Sequence, residues 1–460
     1  MALIKSISGI RGTIGGAAGT NLTPQDIVEC TAAFGYWLQQ QGATPKVVIG
    51  RDARISGKMV SQLVSATLNG LGIDVVDLGL STTPTVEVAV PLLQAGAGII
   101  ITASHNPKEW NALKFINKRG EFISKSDGET LLQLIESGAI RYAEVTDLGS
   151  YEEQDGWIER HIDLILDMDA VDADLIRKKA FKVVVDPVNS TGAIAIPALL
   201  DRLGCETILI NGTPDGFFAH NPEPLPKHLE ALSEKVKATG ADMGISVDPD
   251  VDRLALVSND GSMFGEEYTL VAVADYLLQR NPGNTVSNLS STRALRDVTE
   301  RYGGSYFASA VGEVNVVEKM KAKEAVIGGE GNGGVIVPVL HYGRDALAGI
   351  ALILTHLAKS GKSMTELRAT YPDYQMVKDK IQSPEGVDLN SILEKMHEQY
   401  REEDCNTIDG LKIDFPDSWV HLRRSNTEPI IRIYAEAPTL ERAEALVGQI
   451  KTDLLSLLEQ

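Results

Sequence analysis

Three apolar runs along this chain each end in a polar loop, and this recurrence constrains the fold more than any other feature. Ala97-Gly98-Ile99-Ile100-Ile101 leads into Thr102-Ala103-Ser104-His105-Asn106-Pro107. Met243-Gly244-Ile245-Ser246-Val247 leads into Asp248-Pro249-Asp250-Val251-Asp252-Arg253. Ala325-Val326-Ile327-Gly328 leads into Gly329-Glu330-Gly331-Asn332-Gly333-Gly334. A short continuous apolar run bounded by turn signals reads as a buried strand. Further strands are predicted at Lys46–Gly50, Ile73–Leu78 and Lys182–Asp186, alternating with amphipathic helices. Such alternation predicts α/β units with mixed or parallel sheets. Polar residues at the C-terminal ends of such strands lie where these sheets bind ligands, so three similar units could converge on one cleft.

The last part of the chain reads differently. Ile413–Phe415, Trp419–Leu422 and Ile430–Tyr434 are predicted strands. Leu440–Leu458 is a predicted helix with an apolar stripe at Ala443, Leu446, Val447, Ile450, Leu454 and Leu457. The expected class is α/β: three related α/β domains with mixed sheets, over 1–155, 156–260 and 261–370, and a smaller α+β domain over 371–460. At 460 residues the chain is too long for one core.

A net charge of −20 argues against nucleic acid and against anionic membranes as partners. An anionic substrate would then need a locally basic site. Cys30, Cys205 and Cys405 are scattered without ligand spacing, as in a reducing cytosol. The start has no signal-peptide run, and the apolar stretch Ala346–Thr355 is short of the roughly 20 residues of a membrane helix. A cytoplasmic protein is expected.

Asn-Pro forces a turn after the first strand, leaving Ser104 at a strand–loop junction beside His105, with Lys114 downstream. A serine hydroxyl is a weak nucleophile without help, and an ordinary turn serine is the plain alternative. No G-x-S-x-G accompanies it, which disfavours a hydrolase elbow. Asp248, Asp250 and Asp252 repel one another unless a cation binds. In an extended segment their side chains face one way. The calcium-loop reading fails, because Arg253 and Asn259 stand where that loop needs glycine and glutamate. Three carboxylates with open positions suit Mg²⁺.

Gly329–Gly334 matches a dinucleotide-binding pattern, but Ala346–Ser363 lacks the acidic residue that should follow. Glu330 and Asn332 suit sugar hydroxyls instead. Arg423-Arg424-Ser425-Asn426-Thr427, with Arg432 beyond, offers donors suited to a phosphate. Arg11 lies between glycines in Ser8-Gly9-Ile10-Arg11-Gly12. Arg51-Asp52-Ala53-Arg54 reads as a structural salt bridge, and Ser56 as the cap of a helix over Lys58–Leu68.

Taken together and in this order, the serine, triple-aspartate, Glu/Asn-glycine and Arg-Ser-Asn-Thr loops resemble the α-D-phosphohexomutase superfamily over the whole chain. The resemblance implies four domains around a deep central cleft. It implies a phosphoserine at Ser104, with Mg²⁺ held by Ser104, Asp248, Asp250 and Asp252. A sugar 1,6-bisphosphate serves as intermediate and activator. Glu330 and Asn332 would hold sugar hydroxyls, and Arg423, Ser425, Asn426, Thr427 and Arg432 the non-reacting phosphate. Arg11, Arg253 and Lys114 would supply positive charge, with Lys114 or His105 assisting proton movement. The partner expected is a small-molecule sugar phosphate, the protein being a monomer or homodimer.

Two positions depart from the family pattern. Asn111-Ala112-Leu113-Lys114 stands for Asn-Gly-x-Lys, and Gly334 stands where many members have a histidine. Glu-x-Asn-Gly resembles the amino-sugar enzymes, so phosphoglucosamine mutase is the expected activity. Phosphomannomutase/phosphoglucomutase is the alternative, since Ser425-Asn426-Thr427 occurs there too. A non-catalytic sugar-phosphate sensor, a metal-dependent phosphatase and a nicotinamide dehydrogenase are rivals from other classes.

Overall fold

Ala97–Ile101 is a strand with every residue buried, and its two faces explain its unbroken apolar run. Ala97, Ile99 and Ile101 pack with Val47 and Ile49 against Ile27, Phe34, Leu38, Val60 and Val64 of the helices Pro24–Gln40 and Gly57–Gly70. Ile100 and Val48 face the other way, onto Val86, Ala89 and Val90 of the helix Thr83–Leu92. A strand covered on both sides has no polar face to show. The helix Pro24–Gln40 starts at a capping box between Thr23 and Asp26, with proline in its first turn.

The computed structural model describes residues 3–6, 9–382, 388–424 and 430–458. They fall into two compact units, Met1–Leu277 with Asn332–Arg368, and Leu278–Gly331 with Ala369–Gln460.

In the first unit a seven-stranded mixed sheet runs in the order Leu3–Ser6, Gly9–Thr13, Trp110–Asn117, Ala97–Ile101, Lys46–Arg51, Asp74–Leu80, Tyr151–Glu153. A second mixed sheet has the order Leu254–Ser258, Met243–Val247, Lys182–Asp186, Glu206–Leu209. Here Met243–Val247 is parallel to Lys182–Asp186 and antiparallel to Leu254–Ser258. The aspartate loop is therefore a tight connection between antiparallel strands. The apolar stretch near Ala346 is a helix, Ala346–Ser360, buried from Ala346 through Ala358. Among the described residues no helix is long and apolar enough to cross a membrane.

In the second unit Tyr306–Ser309, Thr285–Asn288 and Ile327–Glu330 lie parallel in that order. An antiparallel sheet follows, ordered Gln375–Gln382, Ile430–Ala437, Trp419–Arg424, Leu411–Asp414, Asp404–Asn406. Leu446, Val447, Ile450 and Leu454 of the helix Leu440–Leu458 close its core. Gln375–Gln382 has no counterpart in the sequence reading. It is an edge strand with charged residues at Lys378, Asp379 and Lys380, which suits an edge but hides it from hydrophobic patterning.

Candidate active site

Ser104 follows its buried strand in the left-handed backbone region, at φ 48°, where residues other than glycine are uncommon. Arg54 fixes the loop in this form. The fully buried guanidinium donates to the carbonyls of Ser104 (2.5 Å), Asn106 (2.7 Å), Pro107 (2.7 Å) and Trp110 (2.8 Å). Its Nε bonds Asp52 at 2.9 Å. The Thr102 hydroxyl donates to the same carboxylate at 2.7 Å and accepts from the Ser104 amide at 2.9 Å. The Asp52–Arg54 pair read as a structural salt bridge is thus also the clamp on the serine loop. Ser56 leaves its helix uncapped and accepts instead from Asn111 Nδ2 at 2.9 Å.

The aspartates gather differently from the extended alternation expected. Val251 N–H bonds Asp248 O at 3.1 Å, closing a turn whose β-branched Val251 sits at φ 64°. The turn brings Asp248, Asp250 and Asp252 together with ligand atoms within 4.8 Å of one another, all at 0% exposure. Asp248 Oδ1 accepts from the backbone N–H of Asp252 and Arg253. Its Oδ2 accepts the Ser104 hydroxyl at 2.6 Å. Asp250 Oδ2 accepts from Lys114 Nζ at 2.8 Å and Thr83 Oγ1 at 2.7 Å. Asp252 Oδ2 accepts from Arg344 at 2.6 Å.

Two carboxylate oxygens, Asp250 Oδ1 and Asp252 Oδ1, are buried without a hydrogen-bond partner. Such orphans are costly, and oxygens of this kind are what a hard divalent cation takes; the residues fit a metal. Burial and the neighbouring Asp252 and Asp250 charges push Asp248 well above the usual carboxylate range. Burial acts the same way on Asp250, but the Lys114 ammonium and its hydrogen bond more than reverse it, leaving that carboxyl below the usual range. Burial works against the charge on Lys114, yet Asp250 and Asp252 raise its pKa, so it stays cationic. His105 Nδ1 lies 3.3 Å from Ser104 Oγ. Burial and the charges of Arg253 and Lys114 hold this imidazole neutral, with a pKa of about 2. Arg253 Nε lies 4.0 Å from Asp248 and 3.9 Å from Asp252. Arg11 is exposed. The register opposite Ala112 puts it on the same sheet face as Lys114.

Asn332 Oδ1 accepts the Gly334 N–H at 3.2 Å. Gly333, at φ 86°, hands its carbonyl to Leu254 N–H at 3.0 Å, and a Cβ there would meet Leu254 O at 2.4 Å. A Cβ on Gly334 would lie 2.3 Å from Arg344 Cδ. The room beside Gly334 is thus filled by the arginine that binds Asp252.

In the second unit, Glu330 Oε1 accepts from Asn288 Nδ2 at 2.9 Å and from Gly312 N–H at 3.2 Å. Arg423 pairs with Asp409 at 2.8 Å. Its cross-strand partner is Arg432, which on its other side faces Lys380. Three cations in a row on one sheet face repel one another, an arrangement an anion relieves. Ser425, Asn426 and Thr427 lie outside the described residues. The sequence reading missed Thr83, Arg344 and Lys380, and read Arg54 only as half of a salt bridge. Only Arg54 carried a signal, the Asp-x-Arg spacing, and that signal says nothing of carbonyls 50 to 56 positions away.

Four models of one family match in succession. The α/β/α domains I, II and III of phosphoglucomutase/phosphomannomutase cover residues 3–141, 159–261 and 265–374, and the C-terminal domain covers 374–452. The chain belongs to this family. A phosphoglucomutase/phosphomannomutase of Thermococcus kodakarensis is 37% identical over 439 residues, 94% of this chain and 95% of that one. A probable phosphoglucosamine mutase of Methanopyrus kandleri is 34% identical over 444 residues, 95% of each chain. The crystal structure of a phosphoglucomutase/phosphomannomutase family protein from Burkholderia thailandensis superposes with a TM-score of 0.86. It has 28% identity and covers 98% of this chain and 97% of that one. The phosphoglucomutase/phosphomannomutase family is thus the one that the four loops resemble, and the serine and aspartate loops both lie in the first compact unit of this member.

Proposed function

We propose that this phosphohexomutase interconverts hexose 6-phosphate and hexose 1-phosphate through a phosphoryl group carried on Ser104, with glucosamine phosphate as its sugar. The observation that carries the reading is the Ser104 hydroxyl, 2.6 Å from Asp248, in a nest of three buried carboxylates and one half-buried lysine. In one half-reaction the bond from phosphorus to Ser104 Oγ breaks and a bond to a sugar hydroxyl oxygen forms, giving the 1,6-bisphosphate. The other half-reaction returns the second phosphoryl to Oγ. A magnesium ion held by Asp248, Asp250 and Asp252 would neutralise phosphoryl charge. Lys114, cationic beside Asp250, adds charge of the same sign and is a proton donor only; the neutral imidazole of His105 takes a proton at its unprotonated ring nitrogen. A trace of sugar 1,6-bisphosphate would charge an unphosphorylated Ser104. Arg423 and Arg432 would take a phosphate, and Glu330 and Asn332 sugar hydroxyls. Three unpaired cysteines support a cytoplasmic setting.

The preference for an amino sugar rests on Glu330, a carboxylate suited to an ammonium, and on Asn332. A second reading has its own observation. Asn332 Oδ1 is occupied by Gly334 N–H, which leaves its Nδ2 as the donor. A donor suits a hydroxyl oxygen better than an ammonium, and so favours glucose or mannose phosphate.

³¹P NMR of glucosamine, N-acetylglucosamine, mannose and glucose 6-phosphates, each with enzyme, Mg²⁺ and a trace of glucose 1,6-bisphosphate, separates these. Fastest formation of glucosamine 1-phosphate supports the amino-sugar assignment. Faster mannose or glucose conversion moves it to the second reading. Steady release of inorganic phosphate, or no conversion of any sugar, would overturn the mutase.

A further inference from the structure

Among the described residues, a second group of metal-capable side chains is as close-set as the aspartate triad. His161, His341 and Asp345 bring ligand atoms within 4.8 Å of one another. We propose that they form a second, structural metal site, for a borderline divalent cation of the zinc class.

Both imidazoles aim the same nitrogen at one oxygen. His161 Nε2 is 2.9 Å, and His341 Nε2 3.2 Å, from Asp345 Oδ2. The other nitrogen of each ring faces an oxygen: His161 Nδ1 is 3.1 Å from Thr85 Oγ1, and His341 Nδ1 lies 3.4 Å from Glu87 Oε2, an ion-pair contact. Metal-bound histidines are oriented in this way, with the second nitrogen on a hydroxyl or carboxylate. Asp345 is equally fixed. Its Oδ1 caps the helix Ala346–Ser360 through the amides of Leu347 and Ala348, at 2.9 and 3.0 Å, leaving Oδ2 as a single-oxygen ligand. Gly343 makes room for the outer partner, since a Cβ there would lie 1.8 Å from Glu87 Oε2.

The alternative that needs no metal is protons in place of the ion. His161 is 0% exposed, His341 8% and Asp345 1%, and the ring centroids stand 6.0 Å apart. The Glu87 and Asp345 carboxylates stabilise an imidazolium at His341, and a divalent cation would take the place of that proton, binding both rings in their neutral form. Tetrahedral zinc, with bonds of about 2.0–2.2 Å, separates its ligand atoms by about 3.3–3.5 Å, so the two short edges need open by only a few tenths of an ångström. Two imidazoles and one carboxylate oxygen select zinc, cobalt or nickel over magnesium. The site is tied to the aspartate triad from two sides. The helix that bears Thr85 and Glu87 starts at Thr83, which bonds Asp250, and Arg344, beside Asp345, bonds Asp252. Its role would be to brace that turn.

The test loads the full chain with Co²⁺ or Zn²⁺ in excess Mg²⁺, removes unbound metal, and measures metal content and the X-ray absorption fine structure. One equivalent per chain with two imidazoles in the coordination shell is expected, lost in His161→Gln and His341→Gln. Should those variants not fold, the wild-type spectrum decides alone. No retained metal, or an all-oxygen shell without imidazole scattering, would overturn the proposal and leave a proton-bridged cluster.

Discussion

The Ser104 hydroxyl and Asp248 Oδ2 stand 2.6 Å apart although 144 positions separate them in the chain. Each sits in a loop with one residue other than glycine in the left-handed region, Ser104 at φ 48° and Val251 at φ 64°. Such conformations cost of order 1–3 kcal/mol each and persist where the surroundings over-determine them. The surroundings here are Arg54 for the serine loop, and Thr83, Lys114 and Arg344 for the aspartate turn.

Arg54→Lys removes donors that bond one carboxylate and four carbonyls, and a lysine ammonium has only three to offer. Stability is expected to fall by about 3 kcal/mol, the lower end of the cost of breaking a buried pair, with turnover falling too as Ser104 loses its position. Urea denaturation read beside kcat checks both. An unchanged midpoint would remove Arg54 from the account.

Asp248 is held well above the usual carboxylate range by burial and by its two acidic neighbours, so the metal-free turn keeps a proton that an ordinary carboxylate would have lost. Divalent-ion binding should release it. Apparent Mg²⁺ affinity is therefore expected to rise with pH. Calorimetry in buffers of different ionisation enthalpy reads the proton directly, and binding without proton release would contradict this charge distribution. Asp250→Asn should abolish the Mg²⁺ dependence along with most of the rate.

Arg432→Gln removes one of three cations aligned across neighbouring strands. KM for the sugar phosphate is expected to rise about tenfold, the worth of one charge-assisted hydrogen bond of roughly 1.5 kcal/mol. Stability should hold or increase, because a like-charge neighbour is gone. An unchanged KM would separate this row from the substrate.

His421 gives a pH dependence with a definite sign. Burial, and the charges of Lys412 and Arg423, lower its pKa from 6.5 to about 4. Its Nε2–H donates to Asp409 O at 2.6 Å, and its Nδ1 accepts from Ser290 Oγ at 2.9 Å. The unfolded chain protonates first as pH falls. The stability this neutral ring contributes is present above the unfolded value and is lost between about 6.5 and about 4. The loss is about 3 kcal/mol. Amide exchange in Trp419–Arg424 should accelerate over that window in the wild type and change less in His421→Gln.

What could be read from the sequence follows physical lines. Ala97–Ile101 and Met243–Val247 were legible because strands buried on both faces are apolar throughout, and Leu440–Leu458 because its stripe keeps helical period. Gln375–Gln382 was not, because an edge strand takes charge. The aspartate loop was legible as a cluster of carboxylates from composition alone. Its shape was not, since a valine between two aspartates favours extended backbone and only tertiary contacts hold it at positive φ. Gly334 was visible as a departure from the family pattern, but not the Arg344 side chain that fills the room beside it.

The most direct measurement of the central claim is phosphopeptide mass spectrometry after incubating the chain with glucose 1,6-bisphosphate and Mg²⁺, on the wild type and on Ser104→Ala. One phosphoryl group on Ser104 in the wild type is predicted. In Ser104→Ala none should form, and turnover should drop by roughly 10³-fold or more while sugar phosphate still binds. Phosphate on another residue, or turnover kept in Ser104→Ala, would contradict the mechanism.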